Sequence, residues 1–409
     1  MRIGVLSERG ERERRVALSP DGARRLGDSG HVIVVEKGAG ENAGFRDDEY
    51  LHVGASVATR AEVIEAAGAV VGIDGPDEAA LSEPEWSALG SDHLVVALHD
   101  PLGQPERATA LAATGATTLS LELVPRTTRA QSMDVLSSMA TVAGYEAVLL
   151  GASRIPKMIP MLMTAAGTVP PARFLVLGAG VAGLQAIASA RRLGAVVEAY
   201  DIRPAAQEQI RSLGARAVEL ELDTADSEGA GGYAAEQTDE QNRRQLELLA
   251  PYVAEADVVI TTAAVPGATS PELVTPSMIE AMRPGSVVVD LAAERGGNTR
   301  LTRPDAEVDH AGVLILGPTD LTSRAPTTAS QMFSTNVVSL LRHLAPDGEL
   351  ALDLDDEIIA GTVLTLDGDV RHPAVRERLG LADPAGATSG AAPSPAESTV
   401  STSIEGESP

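Results

Sequence analysis

The chain has 409 residues, with 58 acidic against 32 basic, a formal net charge of −26 and no cysteine. That length suits two medium domains rather than one small one. The charge excludes an electrostatic nucleic-acid binder, which needs a basic face, and the absent thiols exclude disulfides, thiolate catalysis and cysteine-based metal sites, so that no metal is expected. Aromatic residues make up 2% of the chain while 44% of it is hydrophobic, so Ala, Val, Leu and Ile must fill the core. Lys37 and Lys157 are the only lysines, and arginine supplies the other positive charges. The acidity reads either as a solvated surface suited to a salt-rich cytoplasm or as a docking face for a basic partner. Scattered rather than blocked carboxylates favour the first, and with it a halophilic source.

The N-terminus runs straight into charged residues, without the apolar region of a signal peptide. The most apolar stretch, residues 158–169, is shorter than the roughly 20 residues a bilayer span needs, and Pro160 interrupts it. A cytoplasmic location with no membrane span of its own is expected.

Residues 2–6 read as a strand. Ser19-Pro20-Asp21 starts a helix with a cap and a first-turn proline, and residues 31–36 form a second strand before the turn Lys37-Gly38-Ala39-Gly40. Residues 61–67, 69–73, 93–99 and 117–124 continue an α/β layer alternation. Residues 130–150 contain few breakers and predict one helix on the order of 30 Å long, enough to bridge two domains. On that helix Asp134, Ser137 and Ser138 fall at i, i+3 and i+4, with Arg126 and Gln131 at its entrance. Such a set could hold a carboxamide and orient a nicotinamide ring; an ordinary capped helix start is the other reading.

A second α/β series follows, with strands expected at residues 174–177, 196–200, 215–220, 257–262, 286–291 and 313–316. Six strands separated by helix-length segments match a doubly wound dinucleotide-binding sheet. Residues 221–240 are polar and glycine-bearing, a loop of functional or mobile type. Residues 383–409 are Ala, Ser, Pro, Gly, Thr and Glu in the main and read as a disordered tail.

The sharpest motif is Gly178-Ala179-Gly180-Val181-Ala182-Gly183, placed between a strand and a helix. Gly178 allows the tight turn, Gly180 lets a pyrophosphate approach the backbone, and Gly183 lets helix and strand pack closely. The pyrophosphate would sit at the helix N-terminus. Asp201, at the end of the next strand, would accept hydrogen bonds from the adenosine ribose and repel a 2′-phosphate, selecting NAD over NADP. Arg203 nearby could instead accept that phosphate, but the strand-end acid favours NAD.

Three stretches together are distinctive: Arg126-Thr-Thr-Arg-Ala-Gln-Ser-Met-Asp-Val-Leu-Ser-Ser, Met163-Thr-Ala-Ala-Gly-Thr-Val-Pro-Pro-Ala-Arg, and Val176-Leu-Gly-Ala-Gly-Val-Ala-Gly-Leu-Gln-Ala-Ile-Ala. With Gly231-Gly-Tyr, Ile260-Thr-Thr-Ala, Arg283-Pro-Gly-Ser-Val-Val-Val-Asp-Leu-Ala and Gly296-Gly-Asn, the sequence resembles the NAD(H)-binding component, or alpha subunit, of proton-translocating NAD(P) transhydrogenases. The likeness runs to about His372-Pro373. It implies two Rossmann-like doubly wound α/β domains joined by long helices with a cleft between them: residues 1–128 plus 330–382, and an NAD(H)-binding unit of residues 129–329. It further implies that Arg126, Gln131, Asp134 and Ser137 surround the nicotinamide, with Gln131 placed to reach the second nucleotide. Val181 would lie over the glycine turn, and Asp201, Ile202 and Arg203 would meet the ribose. Gly232 and Tyr233 would belong to a closing loop, and Gln245 and Ala264 would line the cleft.

In that family hydride passes directly between NAD(H) here and NADP(H) on a partner, which needs positioning and water exclusion rather than a general acid or base. The resemblance implies NADP(H)-binding and membrane-spanning partner subunits, a homodimer, and a cytoplasmic subunit peripheral to the membrane's inner face. Alanine dehydrogenases, similar to this family, are the rival. Arg15 could match their pyruvate-binding arginine and His99 their histidine, although His99 reads better as a core residue. Their lysine is missing, with Ile73 at the position where it would be sought, and imine chemistry loses an acid–base group. A non-catalytic NAD sensor is the third reading, disfavoured by the complete Arg126, Gln131, Asp134 and Ser137 set.

Overall fold

The computed structural model describes residues 1–81, 83–220, 238–264, 267–346 and 348–382. The predicted tail, most of the predicted 221–240 loop, and with it Gly232 and Tyr233, lie outside the described residues. The last residues of that loop start a helix: Thr238 caps Asp239–Glu255 in a reciprocal capping box with Gln241.

Two sheets carry the molecule. From one edge to the other, the eight-stranded sheet runs Asp369–Val370, Val363–Leu366, Thr117–Ser120, Leu94–Leu98, Ala69–Asp74, Arg2–Val5, Val32–Glu36 and Ser56–Ala58. Its pairs from Thr117–Ser120 to Ser56–Ala58 are parallel. Val363–Leu366 joins antiparallel to both its neighbours. Apolar clusters cover both faces, which is why strands such as Leu94–Leu98 read as unbroken apolar runs rather than alternating ones.

The seven-stranded sheet runs Arg216–Ala217, Val196–Tyr200, Arg173–Leu177, Val258–Thr261, Val287–Asp290, Val313–Leu316 and Glu307–His310. All six expected strands are present in the order third, second, first, fourth, fifth, sixth, the doubly wound arrangement. The third is only two residues long. Glu307–His310, absent from the sequence expectation, adds an antiparallel edge, and its alternating half-exposed pattern gives it no apolar run to be read from. The chain order reverses between Arg173–Leu177 and Val258–Thr261, so a ligand crevice is expected at their carboxyl ends.

The bridging helix exists but starts later than residue 130. Residues Gln131–Met133 form a 3-10 turn, Asp134 leaves the helical region at φ −75° and ψ 91°, and the helix proper is Val135–Arg154. Asp134 is therefore its N-cap and not a member of a helical face; the cap competes with continuation of the helix toward residue 130. Val135, Met139 and Val142 pack into the core of the first sheet, and Ala147, Val148 and Ile155 into that of the second. This is the only described helix long and apolar enough to cross a bilayer, and its length is spent joining the two cores. Pro326–Leu344 returns the chain to the first core through Ala329, Phe333 and Val337.

Candidate functional site

The glycine turn behaves as its spacing requires. Gly178 adopts φ +99°, and a Cβ on it would stand 2.5 Å from Thr262 Oγ1. A Cβ on Gly183 would stand 1.9 Å from the Gly178 carbonyl oxygen, so helix Val181–Arg192 can start only where residue 183 has no side chain. Gly180 is different: a Cβ there meets nothing within 4 Å. It is the N-cap of that helix and brings no side-chain acceptor. The first-turn N–H groups are thus left for an anion in open space, which fits a pyrophosphate. Val181 is 42% exposed at the same place.

Asp201 follows strand Val196–Tyr200 and is buried. Its carboxylate accepts from Ala179 N–H at 2.7 Å, inside the glycine turn, and so locks the second strand to the motif. It also accepts from the Arg203 backbone N–H at 2.9 Å, Nε at 2.9 Å and Nη2 at 2.8 Å. Arg203 therefore folds onto Asp201, and its charge is largely compensated there. Ile202 is half-buried against the second-sheet core. Gln245 is buried, and its Oε1 accepts from the Tyr200 hydroxyl at 3.0 Å. Ala264 is exposed just beyond strand Val258–Thr261.

Beneath that crevice lies a polar scaffold. Asp290, fully buried, accepts from Thr302 Oγ1 at 2.5 Å, Asn298 N–H at 2.7 Å, Ala292 N–H at 3.0 Å and Thr261 Oγ1 at 3.0 Å. Asn298 in turn donates from Nδ2 to the carbonyls of Ala263 and Pro271, both at 2.8 Å, and accepts from Ala263 N–H at 3.2 Å. One carboxylate and one carboxamide thus fix the loop that leads to Ala264.

At the start of the bridging helix, Asp134 accepts from Ser137 N–H at 2.9 Å and from Ser137 Oγ at 2.6 Å. Arg126 and Gln131 are exposed on the segment before it. Gly144 explains how this segment reaches the glycine turn: a Cβ there would fall 2.1 Å from the Ala182 carbonyl oxygen, so helices Val135–Arg154 and Val181–Arg192 touch backbone to backbone. Ser137 lies seven residues before that contact, about 10 Å along the axis.

A cavity of about 1490 Å³, lined in part by Val135, Leu136 and Met139 of the bridging helix, opens between the sheets. Arg295 pairs with Asp100 across it, and Arg12 with Asp305. The wall that would hold a keto acid is occupied: Arg15, buried, donates from Nε to Glu13 at 2.7 Å and forms an ion pair with the same carboxylate. Ile73 is fully buried in the core, so the strand-end residue lining the cavity is Asp74 and not Ile73. A carboxylate therefore stands where an ammonium was sought one residue earlier. Burial, with the neighbouring Asp74 and Glu13, pushes the Glu8 carboxyl up to about 8. His99 is fully buried without a ring partner, and burial with nearby Arg107 pushes it down to about 3, so it is a neutral core histidine. Its ring lies against Gly75, where a Cβ would meet Cε1 at 2.0 Å.

Family models for the alanine dehydrogenase/PNT N-terminal and C-terminal domains match residues 4–143 and 147–373. The chain belongs to the alanine dehydrogenase/PNT family. It is 43% identical over 378 residues to the NAD(P) transhydrogenase subunit alpha of Cereibacter sphaeroides, covering 91% of this chain and 71% of that protein. The solved transhydrogenase of Sinorhizobium meliloti is 41% identical, with a TM-score of 0.79, over 91% of this chain and all of that one (100%). An L-alanine dehydrogenase structure is 28% identical, with a TM-score of 0.77, over 93% and 99%. The fold is common to both branches of the family, and the sequence lies nearer the transhydrogenase alpha subunits. The chain is an oxidoreductase of that branch.

Motif reading passes over Gly144, and it quotes the stretches holding Asp290 and Asn298 without showing what the two residues do. A glycine inside a long apolar helix is a signal of close packing. The stretch Gly296-Gly-Asn gave notice of Asn298, but nothing local shows that its partner is Asp290.

Proposed function

We infer that the chain is the NAD(H)-binding subunit of a proton-translocating NAD(P) transhydrogenase. Hydride passes directly between NAD(H) here and NADP(H) on a partner subunit, and a membrane-spanning partner couples the transfer to proton movement. The observation that carries the choice over alanine dehydrogenase is the cavity wall: Arg15 is already neutralised by Glu13, and Asp74 faces the cavity. A keto acid would meet net repulsion there, and no described lysine or histidine lines the cavity.

NAD(H), when bound, supplies or accepts the hydride. Gly178, Gly180, Val181 and Gly183 form the pyrophosphate cradle, and the uncapped first turn gives it N–H donors. Asp201 and Ile202 face the ribose. Arg203, held on Asp201, is compensated as a 2′-phosphate site, which supports NAD over NADP. Arg126, Gln131, Asp134 and Ser137 orient the nicotinamide end, and Gln245 and Ala264 line the cleft. Orientation and exclusion of water suffice for direct transfer.

Residues 129–329 then form the NAD(H)-binding unit, and residues 1–128 with 330–382 its companion. The subunit works in the cytoplasm, peripheral on the inner face of the membrane through its partners, and as a homodimer. The hairpin Leu162–Thr164 and Gly167–Val169 supports the homodimer, because an isolated two-stranded hairpin is marginal in water and this one leaves Met163 78% exposed. The acidic, lysine-poor surface supports a salt-rich cytoplasm.

Fluorescence titration and an alanine assay on the chain alone test the reading. NADH is expected to bind at least tenfold more tightly than NADPH, and alanine with NAD+ is expected to give no NADH. Alanine-dependent NADH formation would transfer the protein to the dehydrogenase branch.

A further inference from the structure

The segment between strand Thr117–Ser120 and helix Val135–Arg154 presents Arg126 and Gln131 outward while Ala130 and Met133 are buried beneath it. It makes no sheet pairing of its own. What holds it comes from the far end of the chain. Helix Pro326–Leu344 supplies Asn336, itself buried, whose Nδ2 donates to the Ser132 carbonyl at 2.9 Å. Helix Glu357–Thr362 supplies its N-cap, Asp356, whose Oδ2 accepts from Arg129 Nη2 at 2.9 Å. The other oxygen of Asp356 accepts from Ile358 N–H at 2.8 Å and faces His343 Nε2 at 3.2 Å, so the carboxylate is fixed before Arg129 arrives. At the start of the segment, a Cβ on Gly361 would stand 2.6 Å from Pro125 Cγ, so the same short helix also abuts the bend.

Resting on the nicotinamide placement given above, we propose that Asp356 and Asn336, through Arg129 and the Ser132 carbonyl, are positioning residues that set the attitude of the Arg126–Gln131 segment for hydride transfer. The grip differs in kind from core packing. Arg129 is 61% exposed at its side chain, and an exposed ion pair contributes little to stability. Its effect is geometric: it ties a loop that carries two site residues to a capped helix. Direct hydride transfer is steeply sensitive to such placement, where a displacement of about 1 Å can cost about a hundredfold in rate.

The test measures NADPH-driven reduction of an NAD analogue by the assembled enzyme, beside NADH titration and melting of the chain. Arg129→Gln is chosen because its exposure leaves folding untouched, and Asp356→Asn because the amide oxygen can still cap the helix. Both are expected to slow transfer about tenfold, with NADH affinity within about twofold and melting unchanged, and Arg129→Lys is expected to recover most of the rate. Asp134→Asn, which retains a cap acceptor, serves as the site control. Wild-type transfer in Arg129→Gln and Asp356→Asn alongside a slow Asp134→Asn would overturn the positioning role alone. Wild-type transfer in all three would remove the nicotinamide placement and the inference with it. Parallel losses of affinity and melting temperature would reduce the contact to a structural one and equally overturn the proposal.

Discussion

Gly180→Ala is expected to weaken NADH binding tenfold or more, about 1.4 kcal/mol, while leaving the melting temperature where it was. The backbone there has φ −74°, which alanine adopts freely, and the new methyl meets no protein atom within 4 Å. It enters only the space through which a pyrophosphate approaches the helix N-terminus. The small entropic gain of replacing glycine offsets the poorer capping of alanine. Gly183→Ala, three residues on, is expected to behave in the opposite sense. Its methyl would overlap the Gly178 carbonyl oxygen at 1.9 Å, and backbone cannot swing aside as a side-chain tip can. A loss of about 3 kcal/mol is expected, with binding lost because the turn itself is displaced. Paired thermal melts and NADH titrations separate the two. A Gly180→Ala protein that binds NADH normally would show that the open space above the turn is not the pyrophosphate site.

The second large effect concerns a residue outside every nucleotide contact. Asp290→Ala is expected to destabilise the chain by about 3 kcal/mol or more, because five donors that face a fully buried carboxylate lose their acceptor together. Asn298 loses the bond to its backbone N–H, and the loop through Ala263 loses its anchor with it. Melting temperature should fall by roughly 10 °C on the scale of a few degrees per kcal/mol for domains of this size. NADH affinity should fall as well, since the loop borders the crevice. Asp290→Asn should recover part of both, because one oxygen still accepts. A melt unchanged in Asp290→Ala would mean that the donors find other partners.

Much of the fold and the glycine turn were legible in the sequence because each rests on local chemistry. The six parallel strands announce themselves as short apolar runs, and the glycine turn needs three positions without side chains in fixed order. What was not legible depends on partners far away in the chain. The start of the long helix is one case. Apolar continuity argued for residue 130, whereas the Asp134 carboxylate capping Ser137 sets the start at Val135. The closure of Arg203 onto Asp201 is another: adjacency suggested two rival roles for the pair, and the geometry joins them. At the cavity wall the lysine was sought at Ile73, which faces the core, whereas the residue that lines the cavity is Asp74. A strand alternates faces, so a one-residue shift exchanges core-facing Ile73 for cavity-facing Asp74. Glu307–His310 escaped because an edge strand with alternating exposure has no apolar run.

The central claim is tested most directly by mixing the chain with the NADP(H)-binding and membrane-spanning subunits of a transhydrogenase and following reduction of an NAD analogue by NADPH. Transhydrogenation expects reduction that requires every component and stops when this chain is omitted. Assembled partners that give no reduction with this chain would contradict it and leave a nucleotide sensor in its place.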